Sequence, residues 1–407
     1  MTAKFVQIHY LTSYPAGLLN RDDVGFAKRI VFGGKTRTRI SSQCQKRHWR
    51  RFEGEHALSG IGLDMSVRSR LTFDRQIKQP LIEEGVSEEL ATAAVTAMMK
   101  IVLGESPKAK KKAKDEASKS EDGDGEDSKK DSLQTSQITV LGPAEVEYLR
   151  SQCRVLLEGA KTAKELESRV KGWNKKDMKK NLEALRCAAG LDAALFGRMV
   201  TSDVLARGDA ALHVAHAFTV HEEMVESDYF SAVDDLLADD DELGSGHIGN
   251  TELTTGLFYG YIVVDVPLLI SNLEGCEPKD VGSADREATA EVLRRLVHLV
   301  ATVSPGAKLG STAPHAYAQT VMVETGDAQP RTLANAFLRP VRPGDDLRLA
   351  TCDALGRHVS EMDAMYSRST TRRIAGLGDV SSLAETVGAT AGSLPEMAGW
   401  LAEQVLS

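Results

Sequence analysis

The sequence lacks the features that mark disulfide-bonded, zinc-binding and membrane-spanning proteins. Its 407 residues include five cysteines, which are widely scattered and form no CxxC pair, so neither a disulfide framework nor a zinc site is indicated. No run of about 18 apolar residues occurs, so we expect no membrane-spanning helix and no membrane partner. A charged region followed by an apolar one is missing from the N-terminus, so we expect no signal peptide and a cytoplasmic location.

Acidic residues are also missing from one stretch, Val24 to Phe52, although the chain as a whole is acidic with a formal net charge of -8. This acid-free segment carries nine cations, so the rest of the chain must carry -17: Lys28, Arg29, Lys35, Arg37, Arg39, Lys46, Arg47, Arg50 and Arg51. A concentrated basic segment on an otherwise acidic chain is typical of a specific site for a polyanion.

Local patterns in and before the acid-free segment predict a strand and a hairpin. Residues 4–12 (KFVQIHYLT) are rich in aromatic and β-branched side chains, which favours a strand. Residues 30–40 (IVFGGKTRTRI) contain a Gly-Gly turn, which predicts a β-hairpin with Arg37 and Arg39 on one face.

A helix is predicted after the hairpin. Ser41 or Ser42 is placed to cap a helix that extends to about residue 58, and its N-terminal N–H groups could donate to a phosphate. Like charges at i,i+4 spacing on this helix repel by a few tenths of a kcal/mol, in the pairs Lys46–Arg50 and Arg47–Arg51. Water and salt could offset this repulsion, but the flanking cations favour a bound polyanion.

The middle of the chain is less regular. Residues 105–137 have almost no apolar side chains, which predicts a disordered surface insertion. Two helices are expected from Pro143 to about Gly159 and in a segment that ends near Ala189. The second has lysines on one face, which could be a solubilising face or could contact phosphates loosely: Lys175, Lys176, Lys179 and Lys180. Residues 201–255 read as an extended excursion from the core.

The C-terminal part carries the strongest periodic signals. We expect a buried strand at 256–266, an amphipathic helix at 283–303, a strand at 318–324 and a helical tail from about Ser381 to Val405. The order of elements favours an α+β sandwich of the ferredoxin type with large insertions.

Three motifs of other function classes are weak. GGKT at residues 33–36 lacks the first glycine of a phosphate-binding loop, because Arg29 stands in its place, so an NTPase is not supported. His213, His216 and His221 could hold a metal but equally suit a surface. A carboxylate pair could hold a divalent ion for phosphodiester cleavage, although such pairs more often cap helices or pair with arginines: Asp22 and Asp23.

The segment FGGKTRTRISSQCQKR (residues 32–47) resembles the FGGK-R-R-RISSQ-KR signature of the backbone subunits of type I-E CRISPR Cascade complexes, the CasC group of the Cas-seven family in the RAMP superfamily. Further blocks resemble the same family in the same order: LNRDD (19–23), GRMVTS (197–202), VAHAFTVHE (214–222), DYFSAVDDL (228–236), GNTELTTGLFYGY (249–261), VSPGAK (303–308) and ANAF (334–337). The insertion at 105–137 and the long acidic stretch ADDDEL depart from the family pattern and leave loop contacts open.

The resemblance implies an RRM-like palm, with a helical finger domain and a protruding thumb. The implied palm is discontinuous and comprises residues 1–60, 190–204 and 246–407. The finger comprises residues 61–189 and includes the insertion, and the thumb comprises residues 205–245. Several copies would line up in a helical filament along one CRISPR RNA, with other Cascade subunits as partners.

The resemblance also implies that the subunit is not an enzyme and needs no cofactor, because a separate protein cuts the DNA. The positions that match RNA-contacting residues of the family, or lie beside them in its motifs, are Arg21, Lys28, Lys35, Arg37, Arg39, Ser41, Ser42, Gln43, Lys46, Arg50, Arg198, Met199 and Lys308. The lysines at 175, 176, 179 and 180 would touch target DNA non-specifically. A metal-dependent ribonuclease of the same superfamily, using Asp22 or Asp23, is the alternative, and a single-strand binding protein unrelated to CRISPR is a weaker one.

Overall fold

The computed structural model describes residues 3–103, 133–171, 175–184, 189–198, 208–233, 245–307, 309–344, 346–367 and 370–407. The chain divides into two units. Unit 1 comprises residues 1–61, 212–269 and 285–407, and unit 2 comprises residues 62–211 and 270–284. Within the described ranges, no helix is both long and apolar enough to cross a membrane.

The strands are β1 (Phe5–Gly17), β2 (Arg29–Phe32), β3 (Lys35–Ile40), β4 (Val67–Ser69), β5 (Thr139–Leu141), β6 (Leu212–Val214), β7 (Ala217–Thr219), β8 (Met224–Val233), β9 (Ser245–Asp265), β10 (Ala318–Gly326), β11 (Thr371–Gly376) and β12 (Thr390–Ala391). The helices are α1 (Ser42–Arg51), α2 (Gln79–Glu83), α3 (Glu88–Leu103), α4 (Pro143–Leu157), α5 (Ala163–Lys171), α6 (Lys175–Ala184), α7 (Leu191–Phe196), α8 (Val266–Glu274), α9 (Glu287–Thr302), α10 (Leu309–Thr312), α11 (Leu347–Tyr366), α12 (Ser381–Val387) and α13 (Leu394–Leu406).

One large sheet organises unit 1, with the strand order β12-β11-β10-β1-β9-β7-β3-β2, and β6 and β8 also pair with β9. Four of its strands lie in the order β10-β1-β9-β7, with α1 following β1 and α9 between β9 and β10. This is the arrangement of a ferredoxin-like unit, so the predicted α+β class is confirmed. β1 is central and is flanked by strands on both sides, and seven consecutive residues, Val6–Thr12, are buried because the sheet is covered on both faces.

Helices cover this sheet. α9 packs against α13 and against β1 and β10, and it buries the predicted apolar stripe, which includes Leu293, Leu296 and Val297. A second apolar cluster joins Leu11 and Tyr259 of the sheet to side chains of α11 and α12. These layers pack on the sheet, whose strand order ends at β2 as an edge.

A buried charge cluster, here the Glu324 cluster, lies within unit 1. Glu324 accepts hydrogen bonds from His9 Nε2 (3.1 Å), Arg331 Nη1 (2.6 Å) and Arg372 Nε (2.5 Å), and Arg372 Nη2 also donates to Asp363 (2.7 Å). Burial opposes ionisation of Glu324, but the hydrogen bonds from His9 and Arg331 outweigh it and hold the pKa of this carboxyl far below its ordinary value. Burial lowers the pKa of His9, so its ring is neutral.

Unit 2 is mainly helical, with β4 and β5 paired as a short ribbon. Its core includes Phe73, Met98, Leu149 and Leu182, from several helices and from the segment before α2.

The sequence placed several element ends wrongly. α1 ends at Arg51 because Phe52 is extended, well before the expected residue 58. The predicted C-terminal tail is two helices, because Gly388 takes a left-handed φ of 59° and Ser393 caps a new helix. Residues 201–255 were predicted only as an extended excursion, and the described part of this range contains the regular strands β6, β7, β8 and part of β9.

The predicted disordered insertion also needs correction at one end. Residues 105–132 lie outside the described residues. Residues 133–137 belong to unit 2, where Leu133 is buried and its N–H donates to Asp74 Oδ1 (3.2 Å), while Thr135 N–H donates to the Arg70 carbonyl (3.0 Å).

Candidate nucleic-acid interface

The loop between β1 and β2 is built by two side chains of the LNRDD block. Asn20 accepts the Lys28 N–H through its carbonyl (2.9 Å) and the Ser41 N–H through its side-chain oxygen (2.9 Å), which brings the loop end against the start of α1. Asp22 Oδ1 accepts the N–H groups of residues 24, 25 and 26 at 2.8 to 3.0 Å. These bonds fix a tight loop and leave Arg21 exposed at its start.

The β2–β3 hairpin forms at the predicted Gly-Gly turn. Gly33 and Gly34 have φ angles of 60° and 74°, which residues with a side chain rarely adopt. A Cβ atom on Gly33 would stand 1.6 Å from the Leu338 carbonyl oxygen, whereas one on Gly34 would meet nothing. The first glycine is therefore required both by the turn and by close packing, and Lys35 projects from the turn with its side chain 51% exposed.

α1 is anchored by one face and presents the other. Ser41 caps it by accepting the Cys44 N–H (3.2 Å). On the inner face Trp49 is buried, and the Gln45 amide accepts from Tyr10 (2.5 Å) and donates to the Ala215 carbonyl (3.0 Å). The outer face has i, i+3, i+4, i+7 spacing and consists of Gln43, Lys46, Arg47 and Arg50.

His216, which the sequence pattern indicated only as a possible metal ligand, joins the hairpin to this helix. Its Nδ1 accepts the Ser42 N–H (3.1 Å) and lies 3.4 Å from the Arg39 guanidinium. Partial burial, and then the charges of Arg39 and Lys28, lower the pKa of the ring, so His216 is neutral and its proton is on Nε2. The Ser41 and Ser42 N–H groups, expected to be phosphate donors, are thus already bonded within the chain.

These elements form what we call the basic surface, which consists of the side chains of Lys28, Lys35, Arg39, Gln43, Lys46, Arg47 and Arg50. Lys35, Gln43 and Arg47 are exposed, and the other four are half-buried. Lys28 from the loop and Arg39 from β3 lie near His216, and Asn20 ties this loop to the start of α1 within one unit. No acidic residue occurs between positions 24 and 52, so negative charge reaches this surface only from other segments.

Two arginines of the acid-free segment have internal roles. The Arg37 side chain is fully buried and donates to the carbonyls of Thr219 (2.9 Å) and Phe337 (3.0 Å). Arg29 pairs with Glu223 and Glu252. The prediction that Arg37 contacts RNA does not fit this burial. The sequence could not reveal the burial, because Arg37 and Arg39 occupy equivalent alternating positions. Ser41 is likewise buried as a helix cap.

The other predicted site residues lie elsewhere. Arg198 is buried in unit 2, where its Nη1 donates to both oxygens of Glu145 (2.6 and 2.8 Å), so it braces α4 rather than facing solvent. Lys179 and Lys180 are exposed on α6. Met199 and Lys308 lie outside the described residues, as do the side chains of the lysines at 175 and 176.

The candidate metal sites gain no support from the geometry. Asp22 uses Oδ1 to organise its loop, and His221 is buried with Nδ1 donating to the Glu222 carbonyl (2.7 Å) and Nε2 accepting the Leu257 N–H (3.1 Å). In the part of the chain that the structure describes, no three ligand-type side chains are grouped so that they could hold a metal ion.

A two-stranded extension leaves the sheet beside the basic surface. β8 pairs with residues 245–255 of β9 from Met224–Thr255 to Val233–Ser245, and we call this ribbon the arm. Its apolar side chains are unusually exposed, including Tyr229 (67%) and Phe230 (40%). The resemblance implies a thumb at 205–245, and the described part of that range includes β6 and β7 of the sheet as well as β8.

Together these features can hold a polyanion by its backbone. Arginine and lysine neutralise phosphates, while hydroxyl and amide groups reach phosphate or ribose oxygens without reading bases. The exposed aromatic side chains of the arm can stack on unpaired bases.

Comparison with known proteins places the fold. A model of the CT1975-like protein family matches residues 6–400. A chain of a CRISPR RNA-guided surveillance complex in a pre-nicking state is 26% identical, with a TM-score of 0.75, and the match covers 98% of this chain and 100% of that one. A chain of another CRISPR RNA-guided surveillance complex is 22% identical, with a TM-score of 0.65 and coverage of 98% and 99%. No curated protein matches the chain significantly in sequence.

Proposed function

The chain belongs to the CT1975-like protein family, and we propose that it is a non-catalytic backbone subunit that binds the guide RNA of a type I-E CRISPR surveillance complex. The observation that carries the proposal is the basic surface of unit 1, in a chain whose fold matches a surveillance-complex subunit along its whole length. The type I-E assignment rests on the FGGKTRTRISSQCQKR signature and the collinear blocks.

Guide binding requires affinity without base preference, because guide sequences vary while the protein does not. The basic surface meets this requirement, since its lysines, its arginines and Gln43 suit phosphate and ribose oxygens. Arg21, Lys28, Lys35, Arg39, Ser42, Gln43, Lys46 and Arg50 remain the proposed RNA contacts, and Arg47 and His216 join them by position. Arg37 and Ser41 support these elements from inside, whereas Arg198 braces α4 within unit 2.

We assign the palm to unit 1, the finger to unit 2 and the thumb to the arm. Copies would follow one another along the guide, with the exposed aromatic side chains of the arm beside unstacked bases. Target DNA pairs with the guide, and the exposed Lys179 and Lys180 suit weak contact with its phosphates.

A direct test is electron microscopy of the purified protein with CRISPR RNA, together with incubation of this complex with complementary RNA and magnesium. We expect filaments with a constant repeat along the RNA and intact RNA on a denaturing gel. Cleavage at regular intervals that is lost in Asp22→Asn or Asp23→Asn would favour the ribonuclease alternative. Binding without a constant repeat would instead favour a general single-strand binding protein.

The DNA contacts are tested separately. The double variant Lys179→Ala/Lys180→Ala should bind guide RNA normally, and its assembled complex should bind target DNA more weakly at every sequence tested. A loss of guide binding of the same size would place these lysines on the RNA instead.

A further inference from the structure

Arg29 counts among the cations of the acid-free segment, but its contacts differ from those of its neighbours. Its Nε donates to Glu223 and its Nη2 donates to Glu252, while Nη1 donates to the Ala27 carbonyl (3.3 Å). The two carboxylates are only 16% and 8% exposed. All three nitrogens of the guanidinium therefore already have partners within the chain.

The two carboxylates belong to the base of the arm. Glu223 immediately precedes β8, and its N–H donates to the Thr36 carbonyl of β3 (2.9 Å). Glu252 lies on β9, opposite Ser227 of β8. One side chain of β2 thus holds both strands of the arm where they leave the sheet.

The ion pair between Lys35 and Glu222 provides a contrast on the same hairpin. Lys35 Nζ is 3.1 Å from the carboxylate, but both side chains are more than half exposed, so a phosphate can replace Glu222. A phosphate that approached Arg29 would meet two carboxylates around one guanidinium, and the local charge would repel it.

We propose that Arg29 is a positioning residue, which fixes the arm relative to the basic surface and makes no phosphate contact of its own. This rests on the proposed function, because it assigns the arm and the basic surface to one RNA. The arm would then keep a constant place along the bound strand, and the spacing of its contacts with the bases would depend on this clamp.

The test compares Arg29→Gln with Lys28→Gln, which removes the same charge from the adjacent position. Hydrogen exchange of the RNA-free protein should be at least about tenfold faster at backbone amides 224–230 and 249–255 in Arg29→Gln, because the variant removes two charge-assisted hydrogen bonds and the loss of one is expected to give about this change. Lys28→Gln should leave these amides unchanged. Glu252→Gln, which breaks the same clamp from the arm side, should speed their exchange as Arg29→Gln does.

RNA binding supplies the second measurement. Against the logarithm of the salt concentration, the slope of log affinity should be unchanged in Arg29→Gln and should fall by about 0.7 in Lys28→Gln. A lowered slope in Arg29→Gln, or unchanged exchange in both Arg29→Gln and Glu252→Gln, overturns the proposal. If the wild-type protein binds no RNA, the proposed function fails, whereas the exchange measurement still reports on the clamp.

Discussion

The Glu324 cluster and the basic surface are both rich in arginine, but they are built in opposite ways. In the cluster, Arg331 and Arg372 face Glu324 and Asp363, so the buried charges balance within the chain. On the basic surface, cations converge around Asn20 and His216 with no acidic residue in their own segment. The first arrangement holds the sheet together, and the second is suited to an external polyanion.

Removing a carboxylate from the balanced cluster should have the largest effect. Glu324→Gln leaves the fully buried Arg372 with only Asp363 as a charged partner, and breaking a buried pair in this way costs about 3–5 kcal/mol of the free energy of unfolding. Urea unfolding measures this loss. The control, Glu361→Gln on the exposed side of α11, should stay within about 0.5 kcal/mol of wild type. A loss of less than about 1 kcal/mol for Glu324→Gln would show that the cluster is not a structural centre.

Removing cations from the open surface should affect RNA rather than folding. The triple variant Lys35→Ala/Lys46→Ala/Arg50→Ala should weaken binding equally for unrelated RNA sequences, and its salt slope should fall by about 2. The melting temperature should change little. Lys279→Ala/Arg294→Ala/Arg357→Ala removes the same charge from other exposed positions and should leave the slope unchanged. Losses that vary strongly with RNA sequence would contradict a grip on the backbone.

The two regions also differ in how well the sequence predicts them. The hairpin follows from its Gly-Gly turn, α1 starts at its serine cap, and α9 follows from its apolar stripe, because each of these signals is local. The basic character of the surface follows directly from the acid-free segment. These local signals predicted most of the elements that position the candidate site.

The features that the sequence did not predict depend on contacts between residues distant in sequence. Arg37 and Arg39 alternate identically along β3, but carbonyls from residues 219 and 337 accept from Arg37 and bury it. β8 was missed because its described side chains, residues 224–230, are all exposed and give no alternating pattern; its pairing with β9 makes it a strand. Only the contacts with Glu223 and Glu252, both about 200 residues away, distinguish Arg29 from the other cations of the segment.

Acidification should lower the free energy of unfolding, because the buried histidines are neutral in the folded chain. Burial lowers the pKa of His221 in the folded chain below the ordinary 6.5. Between this lowered pKa and 6.5, the unfolded chain therefore binds more protons than the folded one. Stability is therefore complete above about pH 6.5 and falls as the pH drops through that window. Protonation would also remove the acceptor of the Leu257 N–H.

The measurement is the free energy of unfolding from pH 8 to pH 5. His221→Gln should be less stable than wild type at pH 8 and should lose less on acidification, while the exposed control His315→Gln should follow the wild-type curve. His9, whose pKa burial also lowers, contributes to the slope that remains in His221→Gln. An identical slope in His221→Gln and wild type would contradict a neutral buried His221.

The smallest expected effect concerns Glu222, whose contact with Lys35 lies between the two extremes. Like the pairs of the Glu324 cluster, this pair joins a cation to a carboxylate. Because both side chains are more than half exposed, the pair contributes only about 0–1 kcal/mol to the free energy of unfolding. Glu222→Gln should therefore leave the melting temperature unchanged. It should raise RNA affinity by up to about fivefold, because the carboxylate no longer competes with phosphate for Lys35. Glu226→Gln on β8 makes the same charge change without a described contact to Lys35 and should raise affinity less. Equal gains in the two variants would mean that only the overall charge matters, and a fall in stability for Glu222→Gln would mean that the pair belongs with the buried, structural ones.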